Sequence, residues 1–110
     1  MISIIDVMNL KKQNDIEGLI QALEYRDDIA VRAEAAGSLG HLGDMRAVKP
    51  LILMLQQDND PYVRSLAAKA LGDLGDPSAE EVLMHCLEID TLEVGLEAGK
   101  ALSQLRRDKG

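Results

Sequence analysis

Ala35-Ala36-Gly37-Ser38-Leu39-Gly40-His41-Leu42-Gly43-Asp44 returns 32 residues later as Ala67-Ala68-Lys69-Ala70-Leu71-Gly72-Asp73-Leu74-Gly75-Asp76. Both stretches end in Leu-Gly-x-Leu-Gly-Asp, and the same register lays Val31-Arg32 on Val63-Arg64. A further step of 31 brings Val94, Ala98, Gly99, Ala101, Leu102 and Leu105 into the same columns. Backwards by 32, Ile16, Leu19, Ile20 and Leu23 fall on Val48, Leu51, Ile52 and Leu55. A period of thirty-odd residues marks an array of supersecondary units, none of which can bury its apolar face alone.

Each unit reads as two helices. Val31, Ala35, Leu39 and Leu42 recur at steps of four, four and three, one face of a helix with 3.6 residues per turn. Gly43 stands where a left-handed residue ends a helix, and Asp44 where the next begins. Asp76-Pro77 repeats that signal, while Asp28, Asp60-Pro61 and Thr91 share a second capping column. The spacing predicts helices over 2–12, 15–25, 29–42, 45–57, 61–74, 77–89 and 92–107, joined by short turns. Nothing alternates like a strand, and no linker divides the chain, so residues 1–110 read as one domain. Gly40, Gly72 and Ser103 share one column and Ala36, Ala68 and Gly99 another. Glycine inside a helix costs about 1 kcal/mol, so its recurrence points to close helix contact.

Composition narrows the function. The 110 residues are 46% hydrophobic but only 2% aromatic, so the core is aliphatic. A net charge of −7 and the near-absence of stacking rings argue against a nucleic-acid partner. Apolar runs such as Leu51-Ile52-Leu53-Met54-Leu55 are too short for a membrane span. The single cysteine, Cys86, precludes an intrachain disulfide, and no basic stretch precedes the apolar start; a cytoplasmic location is expected.

The stretch from Val31-Arg32 through Ala35-Ala36, Leu39-Gly40-x-Leu42-Gly43-Asp44, Ala47-Val48 and Pro50-Leu51-Ile52 to Leu55 resembles a HEAT-like repeat of the phycobilisome-lyase type. Val63-Arg64 through Leu87 is a second copy, with Glu80 in place of an apolar residue. The resemblance implies a right-handed all-α solenoid of about three and a half HEAT-like helix pairs. It also implies a concave face, lined by the second helices, that binds protein. Deoxyhypusine hydroxylases, enzymes of HEAT-like build, carry His-Glu dipeptides in such repeats and bind a di-iron centre. The matching positions here are Ala33-Glu34, Ser65-Leu66 and Leu96-Glu97. No metal, cofactor or enzymatic activity is therefore expected. An accessory role in a bilin-lyase-like or cofactor-handling system is the alternative, although a pigment groove calls for aromatic or basic contacts that the chain scarcely has.

Candidate site residues follow from the ridge opposite Val48, Leu51, Ile52 and Leu55. Lys49, Leu53 and Gln56 form that ridge, with Glu17, Gln21, Glu24 and Glu81, His85, Glu88 as its equivalents. On the implied concave face they make an acidic rim around Leu53, flanked by Met54 and Met84, suited to a partner segment that is basic or of mixed charge. Arg32 and Arg64 read as structural, pairing with acids such as Asp44, Asp60 and Asp76 rather than holding an anion. His41 near a helix end and Cys86, in the column of Met54 and Ala22, read as packing residues. The end helices carry apolar stripes: Ile2, Ile5 and Met8 beside the inward Ile4, Val7 and Leu10, and Leu92 with Leu96 next to the polar Glu93, Glu97, Lys100, Gln104 and Arg107. A monomer, or a weak homodimer through these ends, is expected.

Overall fold

Capping residues set the helix boundaries of the protein. The computed structural model describes residues 1–109, with side chains through 107. Its helices are α1 (Ile4–Lys12), α2 (Ile16–Ala22), α3 (Ile29–Leu42), α4 (Val48–Gln57), α5 (Pro61–Leu74), α6 (Glu80–Ile89) and α7 (Leu92–Lys109). Single 3-10 turns, Met45–Ala47 and Pro77–Ala79, lead into α4 and α6. Asp28, Asp44, Asp60 and Asp76 each accept a hydrogen bond from the N–H two residues on, which satisfies an otherwise unpaired donor. Thr91 does the same for the Val94 N–H. Gly43 and Gly75 end α3 and α5 with φ of 73°, the left-handed geometry that a side chain would strain.

Four helices are shorter than their periodicity predicts: α4 and α6 open three residues late, behind their 3-10 turns, and α1 and α2 are cut back by local chemistry. Ser3 and Asp6 form a capping box, so α1 starts at Ile4 instead of residue 2. Ile4 thereby becomes exposed rather than inward, while Val7 is buried and Leu10 partly so. α2 stops at Ala22, because the following residues turn out of the helix and present the Tyr25 and Arg26 carbonyls to Arg32.

The helices form two layers. α1, α3, α5 and α7 pack side by side in that order, and α2, α4 and α6 lie across them. α4 rests on α5 and α6 on α7, so each tight hairpin pairs a second-layer helix with the first-layer helix that follows it. Small residues set the spacing of the first layer. A Cβ placed on Gly40 would come within 2.8 Å of the Ala70 Cα, and one on Gly72 within 2.8 Å of the Ala101 Cα. Backbones can approach that closely only where no side chain intervenes. Ser103, in the same column, is exposed because nothing packs on α7 from that side. Val31, Val63 and Val94 are all fully buried, as are Ala35, Ala67 and Ala98, within one core running from Val7 to Leu105.

A charged ladder ties the units together, through partners other than those expected. Arg32 clasps Asp58 by two hydrogen bonds of 2.9 and 3.2 Å, and Arg64 clasps Asp90 by two of 3.2 and 2.9 Å. Each guanidinium also donates to carbonyls at its own turn: Arg32 to Tyr25 and Arg26, Arg64 to Asp58. Asp44, Asp60 and Asp76 are occupied as caps, and Asp44 pairs instead with Arg46 at 2.9 Å. Burial would raise the Asp58 carboxyl, but hydrogen bonds from Arg32 and the Asp60 N–H outweigh it and hold it below the ordinary carboxylate range. Asp90 is lowered in the same way, against its burial, chiefly by Arg64 and the Thr91 N–H.

Candidate functional site

The nine ridge residues all reach the surface of the second layer: Glu17, Gln21 and Glu24 on or just after α2, Lys49, Leu53 and Gln56 on α4, and Glu81, His85 and Glu88 on α6. They do not form one continuous patch. α4 and α6 stand apart with a groove between them, into which Gln56, Glu81, His85 and Glu88 converge. Glu17, Gln21, Glu24, Lys49 and Leu53 lie outside it, and Glu17 reaches towards Arg46 at 3.6 Å.

First-layer helices meet at backbone contact, whereas those of the second layer scarcely touch one another. Met54 does not flank Leu53 at the surface, because it is buried under α4; Met84 is exposed on α6.

Ile52, Val82 and the exposed Ile89 supply apolar surface to the groove, above the buried Leu55. The inward assignment of Leu55 holds, since it is buried, whereas the separation of α4 and α6 leaves Ile52 only partly buried. The Arg64–Asp90 pair sits in the wall, so this arginine is already neutralised and the unpaired character of the rim is acidic, from Glu81 and Glu88. Cys86 is in the same wall but buried; burial, then the nearby Asp90 charge, push its thiol above the ordinary range. A thiol held neutral in this way packs as a small apolar group. Among the described residues no three His, Cys, Asp or Glu side chains are grouped to hold a metal ion, and no helix is long and apolar enough to cross a membrane.

Two layers of helices repeating with one internal register define an α-solenoid. A family model for HEAT repeats matches residues 16–109, and the chain belongs to that family. The match opens at α2, where the first tight hairpin begins. Among solved structures, that of human deoxyhypusine hydroxylase in complex with glycerol is similar with a TM-score of 0.85 and 29% identity, over 94% of this chain and 37% of that one. A selenomethionine-labelled epoxyqueuosine reductase is similar with a TM-score of 0.68 and 26% identity, over 82% of this chain and 28% of that one. This chain therefore spans only about a third of the length of either enzyme. No curated protein matches its sequence.

Proposed function

We propose that the protein is a non-enzymatic interaction module, cytoplasmic and of the phycobilisome-lyase HEAT-like type, that holds a basic or mixed segment of a partner protein in the groove between α4 and α6. The supporting observation is the groove itself: apolar surface from Ile52, Val82 and Ile89 beneath an acidic rim of Glu81 and Glu88. Apolar side chains of a partner would be desolvated on the walls, while its Lys or Arg side chains meet the rim and set orientation and on-rate. The two solved structures named above are of enzymes, yet the positions matching the hydroxylase His-Glu dipeptides hold Ala33-Glu34, Ser65-Leu66 and Leu96-Glu97. Those residues offer no imidazole ligand, which favours binding over catalysis.

The test is site-specific photo-crosslinking in native lysate, with the reactive group at Gln56 in the groove or at Glu34 on the opposite layer. The reading expects a discrete protein adduct from position 56 and none from position 34. It expects that adduct to fall at least about tenfold, or ~1.4 kcal/mol, in an Ile89→Asp variant, altered at an exposed residue of the groove, and in a Glu81→Lys/Glu88→Lys variant that keep the helical circular-dichroism signal. Equal adducts from both positions, or indifference to both variants, would remove the groove as the docking site.

A further inference from the structure

The last unit leaves bare a side that the preceding units keep covered. Leu96 stands in the column of Ala33 and Ser65, and Leu87 in that of Leu23 and Leu55, all four of them buried. Leu96 and Leu87 are 57% and 52% exposed, and Leu92, one turn before Leu96, is 79% exposed. This face is not shaped for one more unit of the same kind. Gly95 occupies the column of Arg32 and Arg64, so it carries no guanidinium to clasp an aspartate of a following unit. Leu96 also puts bulk where the close packing of earlier units uses Ala33 and Ser65.

The exposed stripe of α7 does complement itself. Leu92 and Leu96 come first, and Gly99 and Ser103 follow on the same helical face. A Cβ at Gly99 would meet the Leu87 Cδ1 at 3.6 Å, so Gly99 forms a shallow hollow beside Leu87. A two-fold axis crossing the stripe between residues 96 and 99 sets α7 antiparallel to the α7 of a second copy. Leu96 then faces Gly99 of that copy, Leu92 faces Ser103, and Leu87 lies near its own counterpart. On the outer flank Glu93 comes level with Lys100 of the copy, an exposed ammonium that also reaches Glu97 of its own chain at 3.4 Å, with Arg107 farther along. Each contact is made twice, as an isologous interface demands, and the two helix dipoles oppose.

We propose that this end face is a homodimer interface, with α7 packed antiparallel on α7 of a second copy through large-to-small apolar contacts and a Glu93–Lys100 exchange. The inference is independent of the groove and of what it binds.

Sedimentation over a wide range of concentrations should show a reversible monomer–dimer equilibrium. Leu96→Asp, at an exposed site, should weaken it at least about 100-fold with an unchanged circular-dichroism spectrum. Glu93→Lys and Lys100→Glu should each weaken it, and the double variant should recover it. Chains carrying Leu96→Cys, mixed with chains carrying Gly99→Cys, should form a disulfide-linked pair faster than either does alone. A monomer at every concentration would overturn the proposal. So would a dimer indifferent to Leu96→Asp but lost in Ile5→Asp, which would place the contact at α1.

Discussion

At Arg32 and Asp58 two opposite charges lie 3% and 5% exposed, and each satisfies the other with two hydrogen bonds. Removing one partner strands a buried charge, which costs about 3–5 kcal/mol. Asp58→Asn should therefore lower stability in urea unfolding much more than Asp90→Asn, whose pair is less enclosed, at 15% and 16% side-chain exposure. The pair also makes stability depend on pH. Both carboxyls are held below their unfolded value of about 3.9, so their contribution is complete above it and is lost as pH falls through the lower folded values. Thermal melts should fall steeply below about pH 4 in the wild type and less steeply in Asp58→Asn. Ser38 offers the opposite case. It stands in the column of Ala70 and Ala101, with its hydroxyl buried and without a hydrogen-bond partner among the described residues. An unmet buried donor costs roughly 1–3 kcal/mol, so Ser38→Ala should raise the melting temperature, and an unchanged or lower value would contradict this reading.

At the scale of the element, propensity and packing pull in opposite directions at the glycines. Gly37 in α3 has nothing within 4 Å of a would-be Cβ. Gly37→Ala should stabilise the protein by up to about 1 kcal/mol, the ordinary helix-propensity gain. Gly72 in α5 gains the same propensity, but its new Cβ would press on Ala101 at 2.8 Å. Forcing α5 and α7 apart costs about 1–3 kcal/mol, so Gly72→Ala should be destabilising. Denaturant midpoints that move in the same direction for both would refute close approach as the reason for Gly72. The helices themselves were legible in sequence, because Asp, Thr and Gly at their ends act locally on the nearest backbone groups. Where local chemistry was misread, as at Ser3 and at Tyr25, a boundary moved by two or three residues.

Across the whole molecule, what sequence reading missed depends on neighbours distant along the chain. Arg32 was rightly read as structural, yet its acid is Asp58 and not one of the capping aspartates, since a side chain on α3 reaches whichever turn the stacking brings beside it. Leu53 and His85 were placed on an exposed ridge, but Ile52 and Val82 were not seen as groove walls, because only the gap between α4 and α6 uncovers them. By itself the sequence determined the period, the seven helices, their caps and the inward columns of Val31, Val63 and Val94, since all of these arise from contacts within a turn or from a recurring apolar face. The tertiary structure alone decided which helices form tight hairpins, which acids the arginines grip and which apolar edges stay open, because each of those depends on how the helices of one layer stand against those of the next.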